Sequence, residues 1–245
     1  MKRGGIDIGS RFIKYVVITD DKDISFSKAE TGHDPLSVCE QLIGDNKADK
    51  LVATGYGRHL LEVRDNVQTI TEIKAVARGA KEIFPRCRTV IDIGGQDTKV
   101  IGMERDGRVR AFECNDRCAA GTGRFLEIMA KALGYDINSL GANCNGDDVS
   151  AISINSMCAV FAESEVISLI NRGIKRETIS RSLHSSIVYR VTALARRVEV
   201  SEDIVFAGGC ARNQCLVNMF QDHFQRDILV HDHPDMLAAL GAALH

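Results

Sequence analysis

The stretch IDIGSRFIK, at residues 6–14, decides the fold because it recurs as IDIGGQDTK at residues 91–99. Each copy has isoleucine, aspartate, isoleucine and glycine, followed by four variable residues and a lysine. Apolar runs on both sides of a glycine turn are typical of two strands joined in a hairpin. The repetition in register therefore predicts two related halves, each of which opens with the same hairpin.

The rest of the chain alternates strand and helix patterns, which indicates an α/β protein. Further strands are predicted in residues 51–57, 98–113 (a hairpin), 203–209 and 226–230. Helices are predicted over residues 35–44, 71–84, 121–134, 159–171, 176–199, 212–224 and 235–244. The two halves are predicted to span residues 1–88 and 89–245, with the last helix able to pack on the first half.

The charge balance excludes a role driven by charge alone. The chain has 31 basic and 33 acidic residues, for a net charge of −2, which argues against nucleic-acid or membrane-surface binding. No run approaches the ~18 apolar residues of a membrane span, and the first residues lack the pattern of a signal peptide. We therefore expect a cytoplasmic protein.

Two glycine turns provide the chemistry of a phosphate site, although the chain has no GxxxxGK[ST] motif. A turn between strands exposes backbone N–H groups to an anion, and glycine lets the phosphate approach closely. The aspartates before the turns, Asp7 and Asp92, suit a hydrated Mg²⁺, and Lys14 suits the phosphate charge. A third turn, FAGGC at residues 206–210, would place a base or ribose against the backbone.

The predicted nucleotide contacts come from these three turns. They are Gly9, Ser10, Arg11, Phe12, Ile13, Lys14, Asp92, Gly94, Gly95, Gln96, Gly208 and Gly209. Gln96 and Asp97 lie in the second turn, where either could orient the attacking water. Asp7 completes the predicted catalytic set.

Two longer strings give a family resemblance. The order of the three turns resembles the superfamily of actin, Hsp70 and sugar kinases, which implies a duplicated ribonuclease H-like, actin-like ATPase fold around a nucleotide cleft. Within it, NDRCAAGTGRF (115–125) and CAVFAESEVISLI (158–170), with ATGYGR (53–58) and VIDIGGQDTKVI (90–101), resemble the activators of 2-hydroxyacyl-CoA dehydratases. The ATPase subunits of benzoyl-CoA reductase belong to the same family.

The resemblance implies an ATPase of anaerobic metabolism that injects a low-potential electron into a dehydratase or a CoA-ester reductase. Its expected cofactors are ATP or ADP, Mg²⁺ and a [4Fe–4S] cluster that bridges two identical subunits. A ferredoxin or flavodoxin would be the electron donor. Each subunit would supply Cys118 and Cys158 to the cluster, and each of these cysteines precedes a predicted helix, whose N-terminus favours a thiolate. The chain has no C-x₂-C-x₂-C run to hold a cluster alone.

The remaining cysteines match no ligand position of the family. Disulfides are a poor explanation in a reducing compartment, so these cysteines are expected to be incidental, buried side chains. They are Cys39, Cys87, Cys144, Cys210 and Cys215. Cys114, four residues before Cys118, is expected to be a buried residue at a strand end, with a metal pair as the alternative.

Some points stay open at the level of the sequence. Glu163 and Glu165 could face the nucleotide or a partner, or lie on a solvated helix face. The family motif E-x-x-C-H-A reads EIKAVA here, at residues 72–77. A small-molecule kinase of the N-acetylhexosamine type fits the turns but has no use for thiols at two helix starts. A nucleotide-dependent redox sensor or clamp is the other alternative.

Overall fold

The computed structural model describes residues 1–115, 119–144, 152, 154, 158–201 and 203–245. The strands are β1 Arg3–Ile8, β2 Phe12–Ile18, β3 Ile24–Glu30, β4 Lys50–Thr54, β5 Gln68–Thr69, β6 Cys87–Ile93, β7 Thr98–Met103, β8 Val109–Asn115, β9 Asp203–Ala207 and β10 Ile228–Leu229. The α-helices are α1 Pro35–Asp45, α2 His59–Asp65, α3 Glu72–Ile83, α4 Gly123–Leu133, α5 Ile137–Ala142, α6 Ala159–Asn171, α7 Arg176–Val198, α8 Gln214–Phe224 and α9 Leu237–Ala243. Short 3₁₀ turns span Gly209–Arg212 and Pro234–Met236.

The strands form two sheets with the same internal order. The first sheet has the order β3-β2-β1-β4-β5, and the second, read from its other edge, has the order β8-β7-β6-β9-β10. In both sheets the hairpin strands pair antiparallel, and the first hairpin strand also pairs parallel with a later strand. This equivalence confirms the duplicated α/β fold predicted from the repeated turn.

The repeated lysine has a structural explanation. Lys14 lies directly across the first hairpin from Asp7, and Lys99 lies directly across the second hairpin from Asp92. Both side chains of such a cross-strand pair point to the same face of the sheet. The spacing of aspartate and lysine in each copy therefore places one carboxylate and one ammonium together beside each turn.

The central strands are buried because helices cover the sheets. The last five residues of β1 and all six residues of β7 are buried. This continuous burial contrasts with the alternating burial of the edge strand β8. On one side of the second sheet, α4, α6, α7 and α8 contribute to a single core, which includes Phe125, Val166, Leu183 and Phe220.

Helices α3 and α9 pack closely against each other. A Cβ at Gly241 in α9 would overlap the carbonyl of Ala75 in α3, so glycine is required for this approach. All seven residues of α9 are buried, and the helix contacts β1, β2 and β4 of the first sheet. The division of the chain at residue 88 stays a prediction.

Most predicted elements are present, and four short ones were not anticipated. These are β3, α2, β5 and α5, of two to seven residues each. Among the described helices, none combines the length and apolar character needed to cross a membrane.

Candidate functional site

A cleft of about 750 Å³ lies between the two sheets and collects the three predicted turns. It is lined by Asp7, Gly9, Ser10, Arg11, Phe12, Lys14, Asp92, Gly94, Gly95, Gln96, Asp97, Gly208 and Gly209, among others. Ile13 is the one predicted contact that does not line it, because its side chain is fully buried in the core of the first sheet. A volume of this size is typical of small-molecule and cofactor sites.

The first turn carries a carboxylate with an unused oxygen. The Lys14 Nζ lies 2.8 Å from Asp7 Oδ2, whereas Asp7 Oδ1 is buried and has no hydrogen-bond partner in the described structure. A buried acceptor of this kind is costly unless something binds it. Burial lowers the pKa of Lys14, but the charge and hydrogen bond of Asp7 outweigh this effect and raise the pKa above its ordinary value.

The second turn holds a denser group of charges. The Lys99 Nζ lies 2.7 Å from Asp97, 2.8 Å from Glu72 and 3.9 Å from Asp92, and its side chain is only 5% exposed. Burial lowers the pKa of Lys99, but the surrounding carboxylates have the larger, opposite effect and raise the pKa above its ordinary value. The lysine is therefore charged. Burial also raises the pKa of Asp92, more than Lys99 lowers it.

Glu72, at the start of α3, is a second cleft-lining carboxyl whose pKa is raised. Its burial raises the pKa to about 7, against the opposing effect of Lys99 and with the help of the neighbouring aspartates. At neutral pH it therefore exchanges a proton readily, which an ordinary carboxyl does not do.

The carboxylates suit a divalent cation. Asp7, with its unpaired Oδ1, and Asp92 both line the cleft beside the phosphate-type turns. Mg²⁺ is commonly held by one or two carboxylates together with phosphate oxygens and water. The donor set present here fits that ion.

The third turn brings the backbone close to the open cleft. Gly208 has φ 82° and ψ 173°, a conformation restricted to glycine, and its N–H donates to the Pro234 carbonyl at 2.9 Å. Around Gly209, by contrast, an added Cβ would meet no atom of the described residues within 4 Å, its chain neighbours aside. A flat ligand can therefore lie directly against the backbone at Gly209.

Asp235 joins the two sides of the cleft near this turn. Its carboxylate accepts from Lys28 of β3 at 2.7 Å and from Arg212 at 2.8 Å. Burial raises the pKa of Asp235, but these two cations outweigh it and bring the pKa down to about 2. The Lys28 ammonium also lies 4.3 Å from the ring centre of Phe12, in a cation–π contact.

The end of the cleft beside Gly209 is closed by two helices, here called the α5–α8 wall. It consists of Ile137, Asn138, Gly141 and Ala142 of α5, with Asn213 and Gln214 at the start of α8. Asn213 is the N-cap of α8, since its Oδ1 accepts from the Leu216 N–H at 3.2 Å.

Helix α4 connects the second turn to the helix that begins after Cys158. The Gly123 N–H donates to the Gly94 carbonyl at 2.8 Å, and the Arg124 N–H donates to the Gly95 carbonyl at 2.9 Å. Farther along, α4 packs against α6 through the shared core. Helix α4 therefore contacts both the second turn and α6.

Cys158 is the exposed N-cap of α6, and its side chain makes no capping hydrogen bond to that helix. Val160 and Phe161 beside it are 66% and 69% exposed, which makes this helix start an apolar surface. Cys118 lies outside the described residues. Glu163 and Glu165 are partly exposed and do not line the cleft.

Two expectations about the other cysteines were wrong. Cys114 is exposed on β8, because exposed and partly buried residues alternate along this edge strand and Cys114 is one of the exposed ones. Cys144 and Cys215 are not incidental, since they form a disulfide across the α5–α8 wall, with their Cα atoms 6.2 Å apart. Cys39, Cys87 and Cys210 are buried, as predicted.

Sequence reasoning missed several charged residues of the cleft. Those that line it are Lys28, Glu72, Glu127, Arg212 and Asp235, and Lys99, which does not line the cleft, pairs with Glu72 and Asp97. Lys99 had a signal as the second copy of the repeated lysine, and Glu72 had one as the first residue of the EIKAVA segment. The others reach the cleft through tertiary packing, which no local pattern reveals.

Two sheets of equal strand order, facing each other across a cleft with paired phosphate-type turns, define the actin-like ATPase fold. The chain belongs to the BadF/BadG/BcrA/BcrD ATPase family, which it matches over residues 5–245. This confirms the family resemblance of the sequence motifs.

Three curated relatives are named as activators of dehydratases. The chain is 41% identical over 252 residues to the 2-hydroxyisocaproyl-CoA dehydratase activator of Clostridioides difficile, covering 98% of this chain and 93% of that protein. It is 38% identical over 250 residues to the (R)-2-hydroxyglutaryl-CoA dehydratase activating ATPase of Acidaminococcus fermentans, covering 98% and 95%. A solved structure of the Clostridium difficile activator with bound ADPNP matches with a TM-score of 0.90 and 41% identity, covering 100% of this chain and 93% of that one.

Proposed function

We propose that the protein is an ATP-hydrolysing activator that passes a low-potential electron to a 2-hydroxyacyl-CoA dehydratase or a related CoA-ester reductase. The observation that carries the proposal is the link from the second turn to α6, whose N-cap is Cys158. The named activities of its relatives support the same class of reaction. The electron transfer, the cluster and the partner are parts of the proposal.

The nucleotide is proposed to bind with its phosphates between the two hairpin turns and its base beside Gly209. Lys14 neutralises phosphate charge from the first turn, and Arg11 lies at the rim, 3.3 Å from Glu127 of α4. Asp7 and Asp92 would hold Mg²⁺, which would neutralise further charge on the phosphates.

For hydrolysis, Gln96 is the better candidate to orient the attacking water. Asp97 lies in an ion pair with Lys99 at 2.7 Å, which fixes its carboxylate and occupies one oxygen. Gln96 lines the cleft. Glu72 is proposed as the proton acceptor: it lines the cleft, Lys99 holds its Oε1 at 2.8 Å, and burial raises its pKa to about 7.

Cys158 is proposed to hold the [4Fe–4S] cluster together with Cys118 and the same two cysteines of a second subunit. The observed donor fits, since Cys158 is an exposed thiol at the start of a helix, and its Sγ is not used in capping that helix. The first N–H groups of a helix favour an anionic ligand set. A cluster of this kind needs four thiolates and supplies one-electron transfer when bound. The exposed Val160 and Phe161 would then lie in the dimer contact.

Coupling is proposed to run through rigid elements. A change at Gly94 and Gly95 when the γ-phosphate leaves would shift the N-terminus of α4, which donates to both carbonyls. Because α4 packs on α6, the start of α6 at Cys158 would turn with it. A ferredoxin or flavodoxin is the proposed electron donor.

The proposal is tested by replacing two exposed cysteines that lie at different positions, Cys158 and, as the control, Cys114. Cys158→Ala should lose the cluster, measured anaerobically as about four iron atoms per dimer in the wild type, and should lose activation of a dehydratase. Nucleotide binding should persist, because Cys158 does not line the cleft. The matched control, Cys114→Ala, changes another exposed cysteine and should retain both properties. An intact cluster in the Cys158→Ala dimer would contradict the assignment.

A further inference from the structure

A disulfide lies directly behind the α5–α8 wall of the cleft. Cys144 follows the end of α5 by two residues, and Cys215 lies in the first turn of α8. Both side chains are buried, at 8% exposure each. The bond therefore joins the two helices that close the end of the cleft beside Gly209.

Asn213 connects this disulfide region to the cleft itself. It lines the cleft, caps α8 through its Oδ1, and donates from its Nδ2 to His184 Nε2 at 2.9 Å. The opposite nitrogen of His184 lies 2.7 Å from the Ser180 carbonyl and donates to it. A Cβ at Gly141 would come within 2.6 Å of Asn213 Oδ1, so α5 touches this asparagine without any gap. A displacement of α8 would disturb the hydrogen bond from Asn213 to His184, and a displacement of either helix would disturb the contact between Gly141 and Asn213.

The same place could be considered as a metal site, because His184 lies with the two cysteines within 4.8 Å. The hydrogen bonds of His184 argue against it. Its Nδ1–H is given to a carbonyl, and its Nε2 lone pair already accepts from Asn213. A metal would have to displace the residue that caps α8, so the observations favour the sulfur–sulfur bond.

We propose that Cys144 and Cys215 form a reversible disulfide that fixes the α5–α8 wall and thereby controls nucleotide release. The proposal rests on the proposed nucleotide site. In the oxidised form the wall is held in the observed geometry, which reduces the cost of ordering it around a ligand and tightens binding. In the dithiol form the wall can open, and the nucleotide leaves faster. Oxidation would thus retain nucleotide and slow turnover.

The chemistry is thiol–disulfide exchange with a small disulfide such as oxidised glutathione. The thiolate of one cysteine attacks a sulfur of the reagent, forming a mixed disulfide and releasing one glutathione thiolate. The second cysteine thiolate then attacks the first cysteine's sulfur and releases the other. The protein pair loses two electrons, the reagent gains them, and the two thiol protons end on the released glutathione molecules. Since both cysteines are buried, exchange requires the wall to open first.

Linkage gives a quantitative form to the proposal. If the disulfide strengthens nucleotide binding by some factor, the nucleotide must favour the disulfide by the same factor. A tenfold change in affinity corresponds to a change of about 30 mV in the midpoint potential of this two-electron couple. The bond closes a loop of 71 residues in separation, so its reduction should also lower the Tm by roughly 5–15 °C.

The experiment titrates the anaerobic full-length protein in glutathione buffers and measures the affinity for mant-ATP in each redox state. We expect the oxidised wild type to bind at least about fivefold more tightly than the reduced form. Cys144→Ala and Cys215→Ala should each bind like the reduced wild type under both conditions. The control Cys39→Ala, which changes a buried cysteine in the core of the first sheet, should respond like the wild type.

Several results would overturn the proposal. A disulfide that resists glutathione until the protein unfolds would be a permanent crosslink. Equal mant-ATP affinity in both states would remove the coupling and leave the proposed function standing. One zinc ion bound per reduced chain, and lost in Cys144→Ala, would establish a metal site instead. Absence of mant-ATP binding in both states would refute the proposed nucleotide site, and the present proposal with it.

Discussion

Two adjacent glycines in the third turn should respond to alanine in opposite ways. At Gly208 the φ of 82° and ψ of 173° lie in a region that other residues avoid, and an added Cβ would overlap the Ile93 carbonyl. The same Cβ would come within 2.6 Å of Asp92 Oδ1. At Gly209 the added Cβ would meet none of the described atoms within 4 Å apart from those of its chain neighbours. Gly208→Ala therefore perturbs the fold, whereas Gly209→Ala fills space that the ligand would use.

The magnitude for Gly208→Ala follows from two terms. The unfavourable backbone conformation costs about 1–3 kcal/mol, and forcing a methyl group into packed backbone costs about 1–3 kcal/mol more. We expect the free energy of unfolding to fall by about 4 kcal/mol. For a chain of this length, each kcal/mol corresponds to a change of about 2–4 °C in Tm, so the Tm should fall by roughly 8–16 °C.

The assay combines thermal unfolding with nucleotide titration on both variants. Gly209→Ala should change the free energy of unfolding by no more than ~0.5 kcal/mol. Its affinity for ATP should weaken by about tenfold, equivalent to ~1.4 kcal/mol, since the methyl group occupies the surface against which the base or ribose lies. A Tm of Gly208→Ala within 2 °C of the wild type, roughly the effect of 1 kcal/mol, would refute the steric reasoning. Unchanged ATP affinity in Gly209→Ala would refute the placement of the nucleoside.

Three further predictions concern residues in or next to the second turn: Glu72, Lys99 and Gln96. The pKa of Glu72 is about 7 when folded and 4.5 in its ordinary state, so the folded protein holds this proton more tightly and loses stability as the pH rises from 4.5 to 7. Glu72→Gln should remove up to about 3 kcal/mol of this loss of stability, measured as the free energy of unfolding in urea at pH 5 and at pH 8. If the variant loses as much stability between the two pH values as the wild type, the raised pKa of Glu72 is contradicted. Lys99→Met leaves three carboxylates without their shared cation and should lower the free energy of unfolding by about 3–5 kcal/mol. Added Mg²⁺ should stabilise this variant more than it stabilises the wild type. A loss below ~1 kcal/mol would contradict the stabilising role of the ion pairs of Lys99. Gln96→Ala should retain ATP binding and lower the rate of hydrolysis by about 10²-fold or more. If Asp97→Asn lowers the rate of hydrolysis by the same factor, the assignment of the water-orienting role to Gln96 is contradicted.

The repeated hairpins could be predicted from the sequence because their information is local. Each copy places its aspartate and lysine a fixed distance apart, and antiparallel pairing then brings them together. The glycine turns required no knowledge of distant residues. The predicted nucleotide contacts consequently line one cleft, except Ile13, which follows the turn and is buried in the core.

The remaining features depend on contacts between distant parts of the chain. Glu72 begins an ordinary amphipathic helix, and only the packing of α3 beside the second hairpin brings it to Lys99. Cys144 and Cys215 are 71 residues apart, so no spacing pattern could pair them. Strand β3 is a largely exposed edge strand with polar residues on both faces, so it lacks the alternation that marks a strand.

The most direct test of the account is the anaerobic EPR spectrum of the reduced, cluster-loaded dimer with ADP and with ATP. The contacts from Gly94 and Gly95 through α4 to α6 predict that the two nucleotides leave Cys158 in different positions. The spectrum of the reduced cluster should therefore differ between the two states, and Gly123→Pro, which removes one donor to the second turn, should reduce that difference. Identical spectra with ADP and ATP, in protein shown to bind both, would contradict the coupling of the nucleotide site to the cluster.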